Sequence, residues 1–264
     1  MSGPARGGER LVHGVHPVRE LLRAGRPVTG LRVASGRRDT PELEELVALA
    51  ADAGVPVVRV DGDELDEVAP GAVHQGVVAT APPFPYAGLD ALLAAARASG
   101  RPPLLVALDG VTDPRNLGSI ARTAEAVGAH GLIVPEHRSA AVTPAVEKAA
   151  AGALAHLPVA RVTNLVRTLE ALGREGVWSL GLDGDAPARI AAHRLAGEPV
   201  VLVVGAEGRG LSRLVRERCD ALVSLPMHGR VGSLNASVAA GVALYALLAA
   251  RDGGVAPVGG DAGQ

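Results

Sequence analysis

Three segments of the chain combine glycine with polar side chains that could bind or activate a ligand. The first, residues 109–124, contains Asn116 and Arg122. Asn116 stands where a helix N-cap belongs, with a side-chain oxygen able to accept a hydrogen bond from a backbone amide. Arg122 follows on the same predicted helix, close enough to bind a phosphate near the helix N-terminus. The spacing is also compatible with a capped turn followed by a surface arginine.

The second segment, residues 205–210, reads G-A-E-G-R-G. Its glycines allow the backbone to approach a ligand closely, and Glu207 between them can accept hydrogen bonds. The glycine order differs from the G-x-G-x-x-G of dinucleotide-binding folds, and no acidic strand residue follows at the expected distance, so the NAD fingerprint is absent. A tight turn between a strand and a helix would give the same spacing.

The third segment, residues 225–239, contains Ser233 and Asn235 after a loop with glycine and proline. Either residue could cap a helix that extends to about Ala250. This helix consists largely of Ala, Gly, Ser and Val, so its backbone can pack closely against a neighbour. Taken singly, Ser233 and Asn235 could be capping residues without any chemical role.

Apolar runs that alternate with helical patterns must position these segments. The predicted strands are 104–108, 132–134, 200–204 and 221–225. The predicted helices are 117–127, 142–151, 164–174 and 211–218. Continuous apolar strands between helices predict an α/β fold with a parallel sheet covered on both faces. Ligands bind at the carboxyl ends of the strands in such sheets, where all three segments lie.

A smaller α/β unit precedes this sheet. Its predicted helices are 14–22, 40–54 and 61–68. Its predicted strands are 31–33, 55–60 and 77–79. A proline-dense connection follows, with a helix at 89–98. The predicted division of the chain is a short tail at 1–10, the small unit at 11–80, a linker at 81–103, the large unit at 104–251 and a loose tail at 252–264.

The composition limits the class of protein. The chain has 264 residues, a net charge of −2 and a single cysteine, Cys219, which excludes an internal disulfide and a cysteine-based metal cage. No apolar run approaches the roughly 18 residues of a membrane helix, so we expect a cytoplasmic protein without a membrane partner. His13 and His16 have no further metal ligands near them in the sequence, and we expect no metal site.

Taken in order, the three segments resemble the signature motifs of the SpoU family of RNA ribose 2′-O-methyltransferases, also called the TrmH family. The matching motifs are D-G-V-T-D-P-R-N-L-G-S-I-A-R-T-A at 109–124, G-A-E-G-R-G at 205–210 and L-P-M-x-G-x-V-x-S-L-N-A-S-V-A at 225–239. In the small unit, H-G-V-H-P-V at 13–18 and G-A-V-H-Q-G at 71–76 resemble the RlmB subgroup. That subgroup methylates a guanosine ribose in large-subunit ribosomal RNA.

The resemblance implies an enzyme that uses S-adenosylmethionine, with an α/β knot (a deep trefoil knot) in the large unit and an RNA-binding small unit. It implies a homodimer with the site at the subunit interface. The residues that match the family's cofactor site are Gly205, Leu225, Met227 and Leu234. The family-matching catalytic set is Asn116, Arg122, Glu207, Ser233 and Asn235.

The resemblance leaves alternatives open. The leading hypothesis is 2′-O-methylation of a guanosine in 23S ribosomal RNA. The same chemistry could act on transfer RNA, or on another ribosomal nucleotide as a resistance modification. A different class is a catalytically silent RNA-binding or ribosome-assembly protein. Arg122 is proposed in the family to activate the hydroxyl, but guanidinium groups stay protonated in proteins, so we favour a role in holding a phosphate and stabilising developing negative charge.

Overall fold

The computed structural model describes residues 8–36, 40–230 and 232–252, which form two sheets with helices around them. The amino-terminal elements are β1 (Arg10–His13), α1 (Val15–Arg23), β2 (Gly30–Ala34), α2 (Pro41–Asp52), β3 (Val57–Val60), α3 (Gly62–Val68) and β4 (Val77–Ala81). The strands form a mixed sheet in the order β1-β4-β2-β3. The side chain of Thr40 accepts a hydrogen bond from the Leu43 amide and caps the amino terminus of α2.

The larger part of the chain forms a six-stranded sheet in which every strand pair is parallel, as predicted. Its elements are α4 (Leu89–Ser99), β5 (Leu104–Asp109), α5 (Pro114–Ala126), β6 (Gly131–Pro135), α6 (Pro144–Ala149), β7 (Val159–Val162), α7 (Leu165–Arg174), β8 (Trp178–Leu182), β9 (Val200–Gly205), α8 (Arg213–Arg218), β10 (Ala221–Val223) and α9 (Ala236–Arg251). The strand order is β10-β8-β9-β5-β6-β7.

Helices cover both faces of this sheet because its strands are apolar on both sides. In β5, Leu104, Val106 and Leu108 pack with α5, α6 and α9 on one face. Leu105 and Ala107 point to the other face and pack with α4, α7 and α8. A strand alternates its side chains between two faces, so a continuous apolar run requires two apolar layers.

Three strands were not predicted from the sequence: β1, β7 and β8. In β7 an arginine, Arg161, interrupts the apolar residues, and in β8 Ser179 and Gly181 do the same. A search for continuous apolar runs therefore passes over both strands. β10 also ends at Val223, two residues earlier than predicted.

The sequence interpretation of Asn116 as a helix N-cap is wrong. Helix α5 begins at Pro114, and Asp113 is its N-cap, with a side chain that accepts a hydrogen bond from the Arg115 amide at 2.8 Å. Proline suits the first helical position because its missing N–H has no partner there in any helix. Asn116 consequently lies inside the first turn of α5, where its side chain is free for tertiary contacts.

Hydrogen bonds link the segment that follows β10 to the loop that follows β8. Ser224 is fully buried, and its hydroxyl donates a hydrogen bond to the Ala186 carbonyl at 2.7 Å. Arg189 donates a hydrogen bond to the Leu225 carbonyl at 2.8 Å. These contacts fix the start of the loop that leads to α9.

Contacts across the boundary hold the amino-terminal sheet against α6 and the turn that follows it. Arg10 of β1 forms an ion pair with Glu147 of α6, and both side chains are largely buried. Arg26 donates a hydrogen bond to the Ala155 carbonyl at 2.9 Å, and Lys148 donates one to the Val73 carbonyl at 3.2 Å. The RNA-binding unit expected from the sequence thus has direct side-chain contacts with the larger unit.

The predicted linker at 81–103 contains helix α4, whose side chains enter the core of the large sheet. Leu92 and Leu93 are buried there. A Cβ atom at Gly131 would lie 2.3 Å from Leu92, so the absence of a side chain allows α4 to approach β6 closely. None of the helices in the described part of the chain is long and apolar enough to cross a membrane.

Candidate functional site

The carboxyl ends of β5 and β9 lie side by side, with Asp109 in register with Gly205. The first two polar segments therefore meet at one point of the sheet edge. A carboxylate oxygen of Asp109 accepts a hydrogen bond from the Ser212 amide at 2.6 Å and ties the second loop to the first. Adjacent carboxyl ends are the expected place for a ligand in such a sheet.

Asn116, Glu207 and Asn235 contact one another directly. The Asn235 side-chain amide donates to Asn116 Oδ1 at 3.0 Å, and both Asn116 and Asn235 donate to Glu207 Oε2 at 3.4 Å. Asn116 is buried, whereas Glu207 is exposed. The structure thus brings together one residue from each of the three segments.

The orientation of Asn235 follows from its place at the start of α9. Its side-chain oxygen accepts hydrogen bonds from the amides of Ser237 and Val238, at 2.9 and 3.3 Å, and from the Ser237 hydroxyl at 2.7 Å. This confirms the predicted alternative in which Asn235 is the N-cap. Because the oxygen is held by the helix, the amide nitrogen must face Asn116 and Glu207.

A cavity of about 410 Å³ opens beside this cluster, within the usual range for a small-molecule site. The four residues expected at a cofactor all line it: Gly205, Leu225, Met227 and Leu234. Glu207 and Ser233 line it as well. Asn116 and Asn235 lie outside the lining but contact Glu207, which belongs to it.

The loop after β9 is folded so tightly that Gly205 cannot carry a side chain. The amide of Ala206 donates to the Gly210 carbonyl at 3.0 Å, and the Gly210 amide donates back to Ala206 at 2.8 Å. A Cβ atom on Gly205 would lie 2.2 Å from the Gly210 carbonyl carbon. The backbone of this loop forms one wall of the cavity.

The sequence did not predict that acidic side chains line the cavity. Asp183 and Asp185 line it, and Asp183 accepts a hydrogen bond from Arg216 at 2.6 Å. Both acids follow β8, a strand that was not predicted. Once β8 is recognised, an acidic residue at its carboxyl end is the signal that points to the site.

Arg122 is not brought into the cavity of its own chain. It is exposed on α5, does not line the cavity, and has no hydrogen bond or ion pair within the described residues. Its neighbour Thr123 faces Gly241 of α9, where an added Cβ would lie 3.7 Å from Thr123 Cγ2. Arg122 thus lies on the exposed surface of α5, next in sequence to a residue that faces α9.

Other reactive groups contribute nothing to this site. Burial, together with Asp220 and Asp109, raises the pKa of the Cys219 thiol to about 12, so the thiol stays protonated at neutral pH. The residues that the structure describes contain no group of three His, Cys, Asp or Glu side chains arranged to hold a metal ion.

Comparison with known families matches both units of the chain. Residues 103–245 match the SpoU rRNA Methylase family. Residues 11–87 match the RNA 2′-O ribose methyltransferase substrate-binding family. The first match contains all three polar segments, and the second contains the amino-terminal sheet except for its first residue, Arg10.

Individual proteins show the same likeness. An uncharacterized tRNA/rRNA methyltransferase of Mycolicibacterium vanbaalenii is 50% identical over 234 residues, which cover 89% of this chain and 74% of that protein. The SpoU methyltransferase AviRb from Streptomyces viridochromogenes, crystallised with AdoMet, superposes with a TM-score of 0.79 at 32% identity and covers 94% of this chain and 92% of its own. An AdoMet-bound rRNA methyltransferase from Sinorhizobium meliloti has a TM-score of 0.72 at 26% identity, over 90% and 86% of the two chains.

The cavity fits the cofactor of these relatives. S-Adenosylmethionine carries an apolar adenine face and a cationic sulfonium, and the residues that line the cavity include the apolar Leu225 and Met227 as well as carboxylates. The likenesses confirm the predicted fold class, an amino-terminal α/β domain followed by the α/β-knot domain of the SpoU methyltransferases with its parallel sheet. The chain therefore belongs to the SpoU family and is an S-adenosylmethionine-dependent RNA methyltransferase.

Proposed function

We propose that this enzyme methylates the ribose 2′-hydroxyl of a guanosine in 23S ribosomal RNA. The observation that carries the proposal is the contact of Asn116, Glu207 and Asn235 at the border of the cavity. A protein that only binds RNA has no chemical need for three polar residues from distant segments in mutual contact beside a cofactor cavity. The amino-terminal domain, matched as a substrate-binding domain, favours a large RNA over a minimal transfer-RNA substrate.

Gly205, Leu225, Met227 and Leu234 would hold the methyl donor. S-Adenosylmethionine supplies an electrophilic methyl group, so the protein's task is to position the nucleophile. The glycine loop provides backbone donors and acceptors for the polar parts of the cofactor, and the apolar side chains provide a surface for its adenine. Leu225 is buried, which gives this surface a fixed position.

Asn116, Glu207, Ser233 and Asn235 would orient the ribose. Glu207 Oε2 is occupied by two amides, and Oε1 accepts no hydrogen bond from the described residues, so Oε1 is free to receive one from a ribose hydroxyl. Fixing the hydroxyl beside the methyl donor converts a bimolecular encounter into an oriented reaction. Ser233 lines the cavity and can add a further hydrogen bond.

We propose that Arg122 acts by charge and not as a base. A guanidinium stays protonated and presents a planar pair of donors that fits a phosphate. Arg122 would hold the phosphate next to the target ribose and stabilise the negative charge that develops on the oxygen. Replacement with lysine should lower activity, because lysine keeps the charge but loses the paired donors.

In a homodimer, Arg122 of one chain would lie near the site of the other chain. Helix α9 exposes Val238, Val242 and Tyr245 at 51%, 48% and 55% of their surfaces, an apolar stripe at helical spacing. Arg122 is next in sequence to Thr123, which faces this helix. Pairing of two copies through α9 would cover the stripe and place Arg122 of one chain next to the other chain.

The test is methyl transfer from radiolabelled S-adenosylmethionine to unmodified 23S ribosomal RNA, with bulk transfer RNA in parallel, followed by mapping of the modified ribose. Label in a single ribosomal guanosine is the expected result. Label only in transfer RNA, or at another ribosomal nucleotide, would overturn the substrate assignment and keep the chemistry. Binding of the cofactor without label in either RNA would identify a silent RNA-binding or assembly protein.

A further inference from the structure

Four neighbouring strands of the large sheet are each followed at their carboxyl ends by an exposed arginine. Arg209 follows β9, Arg115 follows β5, Arg138 follows β6 and Arg167 follows β7. None of the four guanidinium groups has a hydrogen bond or ion pair within residues 8–36, 40–230 and 232–252. We call this set the arginine edge.

Most arginines elsewhere in the described residues have a hydrogen-bond or ion-pair partner. Arg23 pairs with two carboxylates, Arg213 pairs with Glu217, and Arg251 donates only to backbone carbonyls. A free guanidinium is therefore not the rule in this arginine-rich chain, whose single lysine is Lys148. Four in a row on adjacent strands require an explanation.

Three carboxylates at the same edge already have partners of their own. Asp109 accepts a hydrogen bond from the Ser212 amide, and Asp113 accepts one from the Arg115 amide as the cap of α5. A carboxylate oxygen of Glu136 lies 3.9 Å from the guanidinium of Arg161. These three acids thus serve the backbone or another cation. The positive charge of the arginine edge remains available to a partner.

The arginine edge runs from the cavity toward the amino-terminal domain. Arg209 lines the cavity. Neighbouring strands are about 4.8 Å apart, so three strand spacings separate the two ends by roughly 14 Å. The amino-terminal domain contacts α6, which follows β6, through the Arg10–Glu147 ion pair. The arginine edge thus lies on a path that an RNA could follow from the amino-terminal domain to the cavity.

The backbone holds Arg138 in a conformation that costs energy. Its φ of 58° lies in the left-handed region, which residues other than glycine rarely adopt. A hydrogen bond joins the loop after β6, which contains Arg138, to the loop after β5. In this bond the Ala140 amide donates to the Val111 carbonyl at 2.9 Å. Such a conformation persists only where the surrounding structure holds the residue in place.

We propose that the arginine edge binds the phosphate backbone of the RNA between the amino-terminal domain and the methyl-donor cavity. The proposal rests on the proposed function, which makes RNA the substrate. Guanidinium groups bind phosphate through two donors at once. Such contacts fix the register of the RNA without reading its sequence, so the edge sets affinity while the cavity selects the nucleotide.

The test compares the double variant Arg138→Ala/Arg167→Ala with Arg174→Ala. Arg174 lies on α7 like Arg167 and is exposed without a partner in the described structure, but it lies at the opposite edge of the sheet. The double variant should weaken binding of a 23S ribosomal RNA fragment and reduce the slope of log K against log salt by about 1.4, the value for two phosphate contacts to a single strand. Arg174→Ala should leave both unchanged.

Kinetics separate this proposal from the proposed function. The double variant should raise KM for RNA, retain kcat at saturating RNA and bind S-adenosylmethionine as the wild type does. An unchanged RNA affinity and salt slope in the double variant would overturn the arginine edge, even if the wild type methylates RNA. Failure of the wild type to methylate any RNA would overturn the proposed function, while the salt slope would still report on the edge.

Discussion

At the scale of single residues, the site depends on side chains whose orientation is fixed by hydrogen bonds before any ligand arrives. Asn116 is the centre of this arrangement, since it is buried and bonded to both Asn235 and Glu207. Its amide holds the carboxylate of Glu207 in place. Such preorganisation matters because a small error in the position of the nucleophile is costly in rate.

Replacing Asn116 with alanine should therefore impair chemistry more than cofactor binding. We expect kcat to fall by about 10²-fold, the typical effect of removing one preorganised donor. The affinity for S-adenosylmethionine should be unchanged, because Asn116 does not line the cavity. Steady-state kinetics and calorimetric titration give the two values. Wild-type kcat in the variant would contradict the assignment.

His130 makes the stability of the protein depend on pH. Its Nδ1 accepts a hydrogen bond from the Leu104 amide at 3.0 Å, so the folded protein requires the neutral ring. Burial, together with Arg101 and Arg251, lowers the pKa of His130 from 6.5. The unfolded chain takes up the proton at the ordinary pKa, so stability is lost as the pH falls below that value.

Urea unfolding at about pH 7.5 and about pH 5.5 tests this linkage. The wild type should lose free energy of unfolding at the lower pH, and His130→Gln should lose less. The exposed His137 provides the control, since His137→Gln should show the wild-type difference. Equal wild-type stability at the two pH values would refute the role of His130.

The contact between the three segments could be expected from their places after apolar strands, but its details could not. Asn116, Glu207 and Asn235 follow three different predicted strands, and the fold brings them together. Asp183 and Asp185 were missed because β8 has no continuous apolar run. The cap of α5 was assigned to Asn116 because local spacing does not distinguish Asp113 from a later polar residue.

At the scale of elements, α9 links the site to the proposed dimer. Its first residues are capped by Asn235, and its exposed side carries the apolar stripe of Val238, Val242 and Tyr245. The helix has a low content of large side chains, as the sequence showed, but only the packing on α5 reveals which side stays uncovered. One helix thus serves both the cavity and the predicted subunit contact.

A charge in the stripe should separate the subunits. We expect Val242→Glu to convert the dimer to a monomer and to lower methyl transfer, because Arg122 would no longer lie near the other chain's site. Leu214→Glu on α8 is the matched control, since Leu214 is 56% exposed but lies outside the stripe. Sedimentation velocity gives the oligomeric state. A wild type that sediments as a monomer would contradict the proposed dimer.

At the scale of the whole molecule, the two domains are joined by buried contacts and not only by the connecting chain. The parallel sheet and the two-unit division follow from sequence periodicity. The ion pair between Arg10 and Glu147 does not, because its members are 137 positions apart and no local pattern pairs them. Long-range polar contacts of this kind appear only in the folded structure.

Removing the buried carboxylate should weaken this junction. Glu147→Ala leaves the Arg10 guanidinium without its charge partner, and breaking one side of a buried pair costs about 3 kcal/mol. Glu217→Ala removes an exposed helical pair and should cost less than about 0.5 kcal/mol. Urea unfolding measures both. Equal, small losses in the two variants would show that the buried pair contributes no more than a surface pair.

The cavity formed by the segments that follow β8, β9 and β10 is the central feature of the molecule, and titration of S-adenosylmethionine into Gly205→Ala tests it most directly. An added Cβ would collide with the Gly210 backbone and displace the loop, so the variant should bind the cofactor about tenfold more weakly. Gly173→Ala, where a Cβ meets nothing within 4 Å, should bind as the wild type does. Wild-type affinity in a folded Gly205→Ala variant would show that the methyl donor binds elsewhere.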